Sequence, residues 1–158
     1  MSVKEEFLRN FGKSAIMVAM LIDELNPFQL ARLMLTQAAL ETGWGRHVPS
    51  NNLFGIKDLS WLPGAEEYFT KEHRNGKTQK MIDAFQTFDD PTQSFLAYAI
   101  LLTQSQRYHY AWVHRFNPQR FFEELQKAGY ATDPQYAKKC IAVYQSFPDD
   151  WLAIALRK

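Results

Sequence analysis

Ala38-Ala39-Leu40-Glu41-Thr42-Gly43-Trp44-Gly45, followed closely by Asn51-Asn52-Leu53-Phe54-Gly55-Ile56, is the stretch around which the rest of the chain can be ordered. Upstream of it, Asn26-Pro27 predicts a helix start, with Asn as N-cap and Pro at the first helical position. Leu30, Met34 and Ala38 recur on one face of that helix, and Glu41 is the next position on the same face. Its carboxyl is therefore expected on the side turned toward the protein. Gly43 and Gly45 suit a left-handed cap and a sharp exit. This reading places Glu41 in the last turn of a half-buried helix, beside Trp44. Burial and the negative end of the helix dipole would both raise its pKa. A carboxylic acid that stays protonated near neutral pH is what glycosidic cleavage asks of its general acid.

Outward from that helix, the same punctuation recurs at Asp90-Pro91, Asn117-Pro118 and Asp133-Pro134. With apolar periodicity after each start, helices are predicted over 91–104, 106–114, 118–127 and 134–146. Ser2-Val3-Lys4-Glu5 reads as a capping box opening a helix that can run to Leu25. Its apolar stripe is Phe7, Leu8, Phe11, Ala15, Val18, Ala19 and Ile22, with Gly12 as a candidate interruption. The exception lies between Trp61 and Phe88. There, two β-prone runs flank Arg74-Asn75-Gly76-Lys77, and Asn-Gly is a strong hairpin signal. A small antiparallel hairpin is expected, with room for a third short strand. Trp151, Leu152, Ile154 and Ala155 predict a short terminal helix. The expected class is α+β, mostly helical, as one catalytic domain over 1–158.

Composition narrows the function. Of 158 residues, 46% are hydrophobic and 15% aromatic, which fits a globular core. The net charge of +1 argues against nucleic acid, whose binding needs a basic surplus. Exposed rings could instead meet sugar faces. Single Cys140 cannot form an internal disulfide and is read as a small core residue. The four histidines (His47, His73, His109, His114) show no metal spacing, so no metal or other cofactor is expected. The acidic start Met-Ser-Val-Lys-Glu-Glu reads as no signal peptide, and no apolar run is long enough to span a membrane. The chain is thus expected to be made in the cytoplasm, as a monomer.

Ala-Leu-Glu-Thr-Gly-Trp-Gly and Asn-Asn-Leu-Phe-Gly-Ile-Lys (51–57) together resemble the motifs of family 73 glycoside hydrolases, the peptidoglycan N-acetylglucosaminidases. Further segments match in order: Thr70-Lys71-Glu72, Ala84-Phe85-Gln86-Thr87-Phe88, Arg107-Tyr108, and Ala128-Gly129-Tyr130-Ala131-Thr132-Asp133-Pro134-Gln135-Tyr136-Ala137. The resemblance runs from about 28 to about 146. It implies a lysozyme-like fold and cleavage of the β-1,4 bond between N-acetylglucosamine and N-acetylmuramic acid. Muramidase, lytic transglycosylase and non-catalytic glycan binder are the alternatives. A setting as phage lysin or as an injected antibacterial effector, paired with an immunity protein that plugs the groove, would suit such a chain.

Carried over by motif, Glu41 is the general acid and Glu72 the second carboxylate, with Glu66, Glu67 and Asp83 as rivals for the latter. Tyr130 is the third candidate. It could orient the substrate's N-acetyl group in a substrate-assisted reaction, in which case no second carboxylate is required. Trp44, Asn52, Phe54, Trp61 and Tyr136 are the candidate substrate contacts. Two residues depart from the family pattern: Gln86, where a basic residue is expected, and Cys140, where a larger aliphatic one is usual.

Overall fold

Ser2 closes the capping box that the sequence predicts: its Oγ accepts from Glu5 N at 3.2 Å, and Ser2 N donates to the Glu5 carboxylate at 2.8 Å. Helix α1 (Val3–Ile22) follows in the computed structural model, which describes the backbone of residues 1–158 and all side chains except those of Tyr68 and Phe69. Gly12 does not interrupt it. A Cβ there would come within 2.4 Å of Ala155 Cβ, so the missing side chain lets α1 touch the terminal helix, α7 (Trp151–Leu156). That terminal helix is the one predicted from Trp151 to Ala155. At its other end α1 stops before Leu25, because Asp23 turns its carboxylate back to Leu25 N and Asn26 N and pairs with Arg115 at 2.6 Å.

Helix α2 (Pro27–Thr42) is the centre of the molecule. Leu30, Leu33, Met34, Leu35 and Ala38 are all buried, so it is apolar on nearly every side, as a central helix must be. It packs against α1 and α6. Helices α3 (Pro91–Gln104) and α5 (Pro118–Lys127) begin at their predicted Asx caps, Asp90 and Asn117. The predicted helix over 106–114 is instead a single 3-10 turn followed by α4 (His109–Val113).

The Asp133-Pro134 start also behaves differently. Asp133 Oδ1 accepts from Gln135 N in a local turn, and α6 (Tyr136–Gln145) begins two residues later than expected. Its first turn is capped from another helix: Gln126 Oε1 accepts from Ala137 N at 2.7 Å while its amide donates to Pro134 O.

Strands β1 (Ala65–Arg74) and β2 (Lys77–Gln86) form the hairpin, with Asn75 and Gly76 both at positive φ (51° and 72°), the geometry of a tight type I′ turn. The third strand is reduced to a stub: Lys57 bridges Phe85, and Asp58 N donates to Ala84 O at 2.9 Å.

Candidate active site

Three chain segments converge at the C-terminal end of α2. Gly43, left-handed at φ 58°, ends the helix, and Trp44 N donates back to Ala39 O at 2.8 Å. The turn throws the chain away from the helix axis and leaves Glu41 at its rim. Contrary to the expectation that its carboxyl faces the protein, the Glu41 side chain is exposed to solvent. Its carboxyl end is nevertheless crowded by the backbone of Gly55. That crowding first, and the charge of Glu72 second, hold its pKa above the usual carboxylate range.

Gly55 stands against it. A Cβ on Gly55 would stand 2.6 Å from Glu41 Oε1, and its φ of +61° is strained for any other residue. The Asn-Asn-Leu-Phe-Gly motif thus ends on the one residue that lets backbone pass beside the acid. Sequence reading identified the motif but not this role; a glycine following a hydrophobic pair after Asn-Asn was the available signal.

Glu72 comes from the hairpin. Because alternate strand residues share a face, Glu66, Glu72 and Asp83 lie on the face opposite Glu67. Glu66 is taken by Ser50 Oγ at 2.8 Å and Asp83 by Lys57 Nζ at 2.6 Å. Glu72 accepts from Thr132 Oγ1 at 2.8 Å and has Lys57 Nζ at 3.8 Å. Of these carboxylates it is the one whose charge reaches Glu41. Thr132 Oγ1 also accepts from His73 N at 2.9 Å, so one threonine ties the hairpin to the loop that carries Tyr130. Thr132 lies far from the hairpin in the chain, so this tether was not visible in the sequence.

Tyr130 is placed by the end of α5. Gly129 N donates to Gln126 O and Tyr130 N to Leu125 O, both at 3.0 Å, which is a Schellman cap. Arg107 clamps the same loop, Nε donating to Ala128 O at 2.6 Å and an amino group to Gly129 O at 2.8 Å. The half-buried ring stacks on Tyr136 (5.6 Å, 28°) and meets Tyr108 and Tyr98 edge-on. Burial first, then the neighbouring Tyr98 and Glu41, push its hydroxyl well above the usual phenol range. It is thus a neutral O–H at any working pH.

The remaining candidate contacts are placed elsewhere. Asn52 is buried and fully engaged, so it is not free to touch a ligand: its amide donates to Ile56 O (2.8 Å) and Gln86 O (2.9 Å), and its carbonyl accepts from Phe54 N and Ile56 N. Phe54 is core, stacked on Tyr98 at 4.3 Å. Trp44 turns toward α1, edge-on to Phe7 at 5.5 Å with Phe147 on its other side. Tyr136 is buried behind Tyr130. Trp61 alone of the five is open, 60% exposed over a shallow apolar groove with Leu59, Ala97, Ile100 and Leu101. Gln86 explains its departure from the expected basic residue: it is buried, its carbonyl accepting from Leu59 N and its amide donating to Pro63 O and Gly64 O, which secures the Trp61 loop.

An acid beside a glycine wall, a second carboxylate whose charge reaches it and a neutral phenol can protonate a leaving oxygen, activate water and hold a polar substituent. No group of three or more His, Cys, Asp or Glu side chains suited to a metal occurs among the described residues.

A family model described as glucosaminidase, mannosyl-glycoprotein endo-beta-N-acetylglucosaminidase, matches residues 28–148. The chain is similar to peptidoglycan hydrolase FlgJ of Pseudomonas aeruginosa, 46% identical over 117 residues that make up 69% of this chain and 29% of that protein. It thus spans well under half the length of the curated FlgJ relatives it matches. Among solved structures, a peptidoglycan hydrolase mutant from Sphingomonas sp. A1 superposes with a TM-score of 0.80 at 31% identity, covering 95% of this chain and 97% of that one. A C-terminally truncated glycoside hydrolase domain of Salmonella typhimurium FlgJ gives 0.66 at 32%, covering 90% and 95%. The lysozyme-like architecture, a helical lobe beside a small hairpin, is shared with them.

Proposed function

The chain belongs to the glucosaminidase family, and from that premise we propose that it hydrolyses the β-1,4 bond on the reducing side of N-acetylglucosamine in peptidoglycan. The observation that supports this reading is Glu41, an acid with raised pKa against the Gly55 backbone, electrostatically coupled to Glu72 and Tyr130. Glu41 protonates the leaving oxygen. Glu72, held by Thr132, takes a proton from the attacking water. Tyr130 donates its hydroxyl to the acetamido group of the sugar being cleaved, and Trp61 offers a ring to a sugar farther along the strand. The test is chemical: sacculi are digested and the new reducing ends converted with borohydride. Glucosaminitol is expected. Muramitol would show a muramidase, anhydromuramyl ends a transglycosylase, and no new ends a binding protein.

Assigning water to Glu72 has a pH consequence. Glu41 works protonated, so kcat/KM falls as pH rises through its pKa. Glu72→Gln removes the charge that helps keep Glu41 protonated, so the alkaline limb should move toward lower pH. The residual rate should also respond to azide in a Glu72→Ala protein, as expected when a carboxylate has been activating the nucleophile. An unmoved limb, with Tyr130→Phe more damaging than Glu72→Gln, would favour attack by the substrate's own acetamido group.

The setting we propose for this reaction is a target cell's wall, with the protein acting as an antibacterial effector of a type VI or similar system, or as a phage lysin. The solvent-exposed Glu41 side chain is a point that a cognate immunity protein could cover. Expressed in a Gram-negative cytoplasm the chain should be harmless; directed to the periplasm it should cause Glu41-dependent lysis. Cytoplasmic toxicity independent of Glu41 would point to another target.

A further inference from the structure

Behind Tyr130 lies a polar cluster that the chemistry above leaves unused. Gln37 sits on α2 one turn before Glu41, with its side chain almost wholly buried at 2% exposure. Its amide nitrogen donates to Tyr136 Oη at 2.7 Å, and its carbonyl oxygen accepts from Tyr98 Oη. This fixes the proton order. Tyr98 donates to the Gln37 carbonyl, and Tyr136 accepts from the Gln37 amide nitrogen. The two phenols so clamped are the two rings that hold Tyr130: Tyr136 stacks on it, and Tyr98 meets it edge-on at 6.2 Å. Tyr98 also stacks on Phe54, the neighbour of the Gly55 that walls Glu41.

We propose that Gln37 is a positioning residue, which through Tyr98 and Tyr136 sets the Tyr130 ring relative to Glu41 for the glycosidic step. An apolar side chain could fill this space without desolvating an amide and two hydroxyls. A fully satisfied polar cluster adds what packing alone does not, a fixed rotation of each ring about its own axis. Because Gln37 and Glu41 share one helical face, the clamp and the acid are rigidly related by α2. The inference rests on the assignment of Glu41 and Tyr130 given above.

The test is a double-mutant cycle on sacculus cleavage between Gln37→Met and Tyr130→Phe, with kcat and KM separated. Gln37→Met should lower kcat by about tenfold or more, as small misplacements at reacting centres do, with KM changed less than about twofold. In the Tyr130→Phe background the same substitution should cost little further. Tyr136→Phe, which keeps the stacked ring and removes the hydroxyl that Gln37 holds, should show the same coupling and serves if Gln37→Met fails to fold. Losses that multiply independently would overturn the proposal, as would wild-type kcat in Gln37→Met. If Tyr130→Phe itself is fully active while Glu41→Gln is dead, the Tyr130 assignment falls and the clamp falls with it. If Glu41→Gln retains activity, the site itself has been misassigned.

Discussion

Glu41→Gln should leave cleavage of purified sacculi at least ~10²-fold below wild type, the scale on which a positioned general acid contributes. The amide is nearly isosteric and keeps the contact with the Gly55 backbone, but it has no proton to give. The same change should not cost stability. In the folded protein the pKa of Glu41 is raised by crowding and by Glu72, so its ionised form is disfavoured there relative to the unfolded chain. Stability is therefore lost, not gained, as pH rises from the ordinary carboxylate range through the raised value. Near neutral pH the melting temperature of Glu41→Gln should equal or exceed that of wild type, and at pH 4 the two should converge. Turnover within tenfold of wild type would remove Glu41 from the mechanism. A melting temperature well below wild type at neutral pH would mean that the carboxylate is stabilised, against the shift described.

Asn52→Ala should produce the largest loss of stability. One side chain here satisfies two backbone carbonyls and two backbone N–H groups across the turn 52–56 and the end of β2. With the residue buried, water cannot replace them, and the loss is about 2–4 kcal/mol on the scale of unpaired buried polar groups. For a domain of this size that is a fall of roughly 5–15 °C in melting temperature. Activity should fall as well, because the turn that Asn52 holds carries Gly55 against Glu41. Asn52→Asp is the informative companion. It keeps the acceptor for Phe54 N and Ile56 N but loses the donors to Ile56 O and Gln86 O, and should be intermediate or worse if it remains charged. Thermal unfolding by circular dichroism decides it; a shift under about 2 °C for Asn52→Ala would show that these bonds contribute little.

What could be read from the sequence is whatever is encoded within a few residues of itself. The Ser2 capping box, the Asx-Pro starts at Asn26, Asp90 and Asn117, the Asn75-Gly76 turn and the glycine end of α5 all depend on local dihedral preference and neighbouring hydrogen bonds. Those signals set the helix order and the single hairpin. Read with the family motif, they also named Glu41, Glu72 and Tyr130 as the candidate site residues. What failed was everything settled by a partner distant in the chain. The α6 start waits for Gln126, and Gly12 is demanded by Ala155. Periodicity put Glu41 on an inward face, but the chain turns away at the Gly43 cap and its side chain is left exposed. Asn52 and Phe54 look like ligand contacts because polar and aromatic residues near an acid suit a sugar. Only the packed turn shows that their hydrogen bonds and ring faces are already taken. The carboxylate beside Glu41 was likewise one of several in the hairpin until Ser50, Lys57 and Thr132, each brought in by the fold, engaged Glu66, Asp83 and Glu72 in turn. Local chemistry selects the elements; which side chains remain free to act is decided by long-range contacts, since a buried polar group must find its partner wherever the fold places one.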